Sequence, residues 1–144
     1  MERRLVSSGS PYERVVGFSR AVRVGDRVIV AGTAPVMPEG ADPPADAYGQ
    51  AKRCLEIIRT ALEDGGASLA DVVRTRVYLV RTEDFEAVGR AHGEAFADVR
   101  PANTTLTVAE LVDPRWLVEI EAEAVVTADG AREGIPAAGV HWPP

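Results

Sequence analysis

The period of apolar and polar positions changes several times along the chain, and each change marks an element. The stretch "RAVRVGDRVIVAGTAPV" alternates branched apolar residues with charged ones around the turn pair Gly25-Asp26. That pattern predicts a hairpin with strands near 19–24 and 27–31, the second ending at "GTAP". "MPEGADPPADA" is too rich in proline, glycine and acid for an element interior and reads as a loop. From about 46 to 64 the period becomes helical: Ala51, Cys54, Leu55, Ile58, Ala61 and Leu62 fall on one stripe, and Gly65-Gly66 stops it. After the short turn "ASLADV", the run "VVRTRVYLV" sets Val73, Thr75, Val77 and Leu79 against Arg74, Arg76 and Tyr78, the period of a strand. Phe85, Val88, His92, Ala95 and Phe96 mark a second helix that Pro101 ends. "NTTLTVAEL" predicts another strand. After "VDPR", "WLVEIEAEAVV" predicts the last one, with Val118, Ile120, Ala122 and Ala124 on one face and Glu119, Glu121 and Glu123 on the other.

The order strand, strand, helix, strand, helix, strand, strand predicts an α+β fold: a two-layer sandwich of a mixed β-sheet with two helices on one face. Residues 1–127 are expected to form the domain, and "ADGAREGIPAAGVHWPP", 128–144, an irregular C-terminal tail. The second sheet face is then expected to carry Arg74, Arg76, Tyr78, Asn103, Thr105, Thr107, Glu119, Glu121 and Glu123. Two readings fit so polar a face. Either it is solvated, with opposite charges pairing across neighbouring strands, or it meets the sheets of other subunits and leaves clefts suited to small ligands.

Composition narrows the partners. A chain of 144 residues with 46% hydrophobic content is long enough for one domain with its own core. With 22 acidic against 16 basic side chains, its net charge of -6 disfavours a nucleic-acid partner. No apolar run of about 20 residues predicts a membrane span, and "MERRLVSSGS" lacks an apolar signal core, so a cytoplasmic protein is expected. The single cysteine, Cys54, falls on the helical stripe and reads as a core filler rather than a nucleophile. His92 and His141 form no ligand cluster, and His92 near its stripe reads as a core or interface histidine. Metal-ligand spacings, the P-loop, the dinucleotide fingerprint and the nucleophile elbow are all absent, so neither metal nor organic cofactor is expected.

Four stretches together resemble the Rid family, also called YjgF and in older usage endoribonuclease L-PSP. They are "FSRAVRVGD" at 18–26, "GTAPV" at 32–36, "QAKRCLEIIRTALEDGGASLADVVRTRVYL" at 50–79 and "RPANTTLTVAELVDPRWLVEIEAEAVV" at 100–126. The resemblance implies a chorismate mutase-like fold and a homotrimer with sites at the subunit interfaces. It also implies cofactor-free hydrolysis of small enamines and imines to 2-keto acids and ammonia. In such chemistry an arginine forks onto the substrate carboxylate and a glutamate helps place the attacking water.

Residue by residue, the resemblance assigns Glu119 to the water-positioning glutamate, and Phe18, Gly32, Thr33, Asn103, Thr104 and Thr105 to substrate contact. The arginine that follows "PA" in the family signature is replaced by Asn103, and Phe18 stands where many members have tyrosine. Without that charge, carboxylate binding is expected to be about ten- to a hundredfold weaker, unless Arg74, Arg76 or Arg100 substitutes. Asn103 can either bind a neutral amide or carbonyl or serve only the local backbone. Three functions follow in order: a hydrolase for a small imine, carbonyl or amide metabolite; a trimeric metabolite-binding protein without catalysis; and, a distant third, a ribonuclease or translation inhibitor.

Overall fold

The computed structural model describes residues 1–127 and Pro143. The tail expected from 128, with His141, otherwise lies outside the described residues. Six strands form one mixed sheet: β1 (Arg3–Val6), β2 (Ala21–Val24), β3 (Arg27–Thr33), β4 (Val72–Leu79), β5 (Ala102–Thr107) and β6 (Val118–Val125). Two helices, α1 (Ala47–Asp64) and α2 (Phe85–Phe96), pack on one face, which gives the two-layer α+β sandwich that the periods predict. The strand order is β1-β2-β3-β6-β4-β5; β4 and β5 run parallel and all other neighbours antiparallel.

Local chemistry accounts for the main boundaries. Asp46 caps α1 by accepting from the Gly49 amide at 3.0 Å, and the helix stops at Gly65. Its stripe is buried as expected, and it also buries Gln50. The Gln50 amide donates to the carbonyls of Pro44 (2.9 Å) and Arg115 (3.0 Å) and accepts from the Leu117 amide (2.7 Å). One buried side chain thereby ties the loop before α1 to the segment before β6. The chain leaves α2 through Arg100, left-handed at φ 53°, whose amide donates to the Phe96 carbonyl at 2.8 Å.

Three features differ from the expectation. β1 was not predicted; it pairs with β2 at the sheet margin and buries only Val6, too little apolar signal for a period to register. In β4 the register shifts between Val72 and Arg74, so Val72 is buried and Val73 is 45% exposed. Phe85 does not join the core stripe of α2: it is 49% exposed, while Val88, Ala91 and Phe96 are buried. Among the described residues no helix is long and apolar enough to cross a membrane.

Candidate functional site

Pairing register decides which side chains share a face. Thr75, Val77 and Leu79 of β4 point under the helices and are buried, and they pair in parallel register with Asn103, Thr105 and Thr107 of β5. The three β5 residues therefore lie on the helix side. The expectation that Asn103, Thr105 and Thr107 share a face with Arg74, Arg76, Tyr78 and the β6 acids is corrected by this pairing. Opposite the helices β5 presents Ala102, Thr104 and Leu106, which pair with Arg74, Arg76 and Tyr78. Thr104 is the one β5 candidate on that open face, where it is exposed.

The open face carries a charged ladder. Arg76 Nη1 reaches Glu121 at 3.0 Å and Glu123 at 3.4 Å, Tyr78 Oη donates to Glu121 at 3.0 Å, and Arg27 reaches Glu123 at 3.5 Å. Glu121 and Glu123 are thus engaged. The carboxylate of half-buried Glu119 accepts no hydrogen bond from a side chain or backbone amide among the described residues. Burial pushes its carboxyl above the usual carboxylate range; the charge of Arg20 pulls the other way, and Glu121 adds to the rise.

Gly32 makes room for that carboxylate. A Cβ at position 32 would lie 2.9 Å from Glu119 Oε2, so a larger residue there would make the carboxylate swing aside. Gly32 sits in a shift of register between Val30 and Thr33, where β3 carries one more residue than β6. Arg20 holds this bulge. Its Nη2 donates to the carbonyls of Ala31 (2.6 Å) and Gly32 (2.9 Å) and to Thr33 Oγ1 (2.7 Å). Thr33 is fully buried and donates to the Ala31 carbonyl at 2.8 Å, so its hydroxyl serves the bulge. Arg20 Nε is buried without a partner among the described residues, and burial lowers the guanidinium pKa against the pull of Glu13 and Glu119. The sequence reading missed Arg20, since an arginine one residue ahead of a strand looks like any surface cation. Phe18, 42% exposed, follows a π-helical turn over Glu13–Gly17 and walls an open groove of about 530 Å³ with Leu5, Val22 and Ile29.

Asn103 lies elsewhere. Its Nδ2 donates to Thr75 Oγ1 at 3.0 Å, its Oδ1 accepts from Thr105 Oγ1 at 2.9 Å, and Thr75 Oγ1 meets His92 Nε2 at 2.8 Å. Asn103, Thr105 and His92 line a cavity of about 120 Å³ between α2 and the sheet, with Val77, Phe85 and Val88 as apolar walls. His92 stacks obliquely on Phe96, ring centres 4.7 Å apart, and burial lowers its pKa. The candidate residues accordingly fall in two places: Glu119, Gly32, Phe18 and Thr104 on or beside the open face, Asn103 and Thr105 under α2. Of the cations weighed as substitutes, Arg76 is engaged with Glu121 and Glu123, and Arg74 pairs in register with Glu123.

Cys54 is fully buried on α1 and burial raises its thiol pKa, which leaves it a neutral filler at neutral pH. Among the described residues no group of three His, Cys, Asp or Glu side chains is placed to hold a metal ion.

Residues 10–126 match the family described as endoribonuclease L-PSP. An uncharacterized protein of Streptomyces coelicolor is 46% identical over 121 residues, spanning 84% of this chain and 90% of its own. The 2-iminobutanoate/2-iminopropanoate deaminase of Escherichia coli K12 is 31% identical over 112 residues, spanning 75% of this chain and 86% of its own. The crystal structure of a Mycobacterium tuberculosis member of the YjgF/YER057c/UK114 family superposes with a TM-score of 0.80 at 44% identity, covering 87% of this chain and 100% of that one.

Proposed function

The chain belongs to the endoribonuclease L-PSP family, the YjgF/RutC group, and from that premise we propose that it is a cofactor-free hydrolase of deaminase type. Its substrate is a small imine, carbonyl or amide metabolite. The observation that carries this reading is Glu119, the one acid of its strand without a hydrogen-bonding partner among the described residues, pressed against Gly32 and held above the usual carboxylate range. A carboxylate in that state takes a proton from water as the water oxygen attacks a C=N carbon. Glu119 passes that proton to the nitrogen, the carbinolamine hydroxyl gives up the second proton as the C–N bond breaks, and the nitrogen leaves as ammonia while a carbonyl remains. A positioned base of this kind contributes about 10²–10⁴-fold.

Asn103 stands where the family resemblance places an arginine, so 2-imino acids, which carry a carboxylate, are poor substrates in this reading. Within one protomer Asn103 and Glu119 lie on opposite faces of the sheet. A site that uses both takes them from two subunits, as a homotrimer with sites at its interfaces provides, and Asn103 on the edge strand is suitably placed at the sheet margin. The partners are then further copies of the chain and a small metabolite, in the cytoplasm, and the net charge of -6 argues against nucleic acid.

The test is hydrolysis of imines generated in a coupled assay, followed as ammonia release. Expected is turnover of 2-iminobutanoate about ten- to a hundredfold below an arginine-bearing relative. On any substrate accepted, Glu119→Gln lowers the rate by about 10²–10⁴-fold. Parental turnover by Glu119→Gln would overturn the assignment. Sedimentation should give a trimer, and a stable monomer at micromolar concentration would remove the interface site.

A further inference from the structure

The cavity under α2 has a polar end and apolar walls, and none of its lining side chains carries a fixed charge. Its hydrogen bonds run head to tail. Thr105 donates to Asn103 Oδ1 and Asn103 Nδ2 donates to Thr75, whose single proton is then free to go to His92 Nε2. Where that proton goes to His92 Nε2, the ring is a neutral imidazole with its proton on Nδ1, and protonating His92 would leave the hydroxyl proton of fully buried Thr75 without that acceptor. After these bonds the Asn103 amide keeps one N–H and one Oδ1 lone pair unused, a donor and an acceptor side by side.

We infer that this cavity binds a small uncharged primary amide, whose carbonyl accepts from Asn103 Nδ2 and whose N–H donates to Asn103 Oδ1. The inference rests on the reading of Asn103 as a ligand contact and narrows the ligand class at that contact to metabolites that bear a carboxamide. Size and charge both support it. A volume of about 120 Å³ holds about four waters at ~30 Å³ each, the space of an acetamide-sized group. The cavity opens to solvent at Asn103 and Phe85, which are exposed, and a carboxylate or an amidinium placed there would give up part of its hydration and meet no opposite charge among the lining residues. Val77, Phe85 and Val88 suit a short apolar substituent.

Acetamide, acetate and acetamidinium have nearly one shape and three charges, which makes them the probes. Titrations of the full chain carrying Glu119→Gln, followed by NMR of the His92 ring and the Asn103 side-chain amide, keep the readout independent of hydrolysis. Expected is saturable binding of acetamide with Kd on the order of 10 mM, as befits so few atoms, and binding of both ions at least about tenfold weaker. Asn103→Asp, nearly isosteric, should reverse the order and favour acetamidinium. Absence of saturable acetamide shifts, or acetate binding as tightly as acetamide, would overturn the inference and leave the four side chains a closure of the sheet edge. Because Glu119 is already removed, loss of amide binding would refute the carboxamide assignment without bearing on its catalysis. An inactive Glu119 site would likewise leave the amide result standing.

Discussion

The two faces of this sheet are cut from the same alternating strands and end in opposite states. Toward the helices, the alternate positions of β4 and β6 are buried, and the polar side chains Thr33, Gln50 and Thr75 are hydrogen-bonded within the chain. Away from the helices the intervening positions carry arginines and glutamates that neutralise one another, except at Glu119. The difference shows how burial sorts polar groups. A neutral amide or hydroxyl enters a closed layer when each bond it lost to water is replaced. A carboxylate that is desolvated without such replacement keeps a raised proton affinity, and that is a chemical resource.

Striking the closed side should have the largest effect on stability. Gln50→Leu fits the helical stripe but strands the Pro44 and Arg115 carbonyls and the Leu117 amide. A loss of about 2–5 kcal/mol in denaturant unfolding is expected. A change below about 0.5 kcal/mol would mean that water replaces Gln50 and that the layer is less closed than its burial states.

A smaller effect comes from pH. Burial holds His92 below the ordinary histidine value of about 6.5, so the unfolded chain takes up its proton first. The stability that the neutral ring contributes is full above that value and is lost as pH falls through the lower, folded value. His92→Gln should therefore flatten the dependence of unfolding free energy on pH between about 7 and 5 relative to the parent. Equal slopes would show that His92 is hydrated in the folded protein.

The smallest effect lies on the open face and has the opposite sign. The folded Glu119 carboxyl has a raised pKa, so its contribution is full below the unfolded value of about 4.3 and is lost as pH rises through the folded one. Glu119→Gln should raise the melting temperature slightly at neutral pH, with the gain fading toward about pH 4. A lowered melting temperature at neutral pH would mean that assembly supplies Glu119 with a partner, and the contrast between the faces would narrow.

Most of the layer plan was legible because it rests on strong periods. The α1 stripe and the β6 alternation each set several large apolar side chains against polar ones, and burying them decides the element and its orientation together. β1 escaped because one buried residue makes no period. Val73 and Val72 exchanged places because a bulge shifts phase by one residue, and two adjacent valines give no sign of where the shift occurs. Arg20 escaped because its importance lies in three acceptors supplied by the β3 bulge, eleven to thirteen residues away in the chain.

The sequence by itself determined the elements other than β1, the two layers and the acids of β6, since apolar periodicity and residue type are local properties. Only the tertiary structure decided which acid stands apart and where Asn103 points. Glu119, Glu121 and Glu123 have the same place in the pattern. They differ by what reaches them: Arg76 and Tyr78 for Glu121, Arg76 and Arg27 for Glu123, the bare backbone of Gly32 for Glu119. In "ANTTLT" both phases are polar enough for either face, and the large apolar residue, Leu106, falls on the open side. Hydrophobicity therefore could not set the phase of β5; its parallel register with β4 did, and that register put Asn103 against Thr75, beneath α2 and away from Glu119.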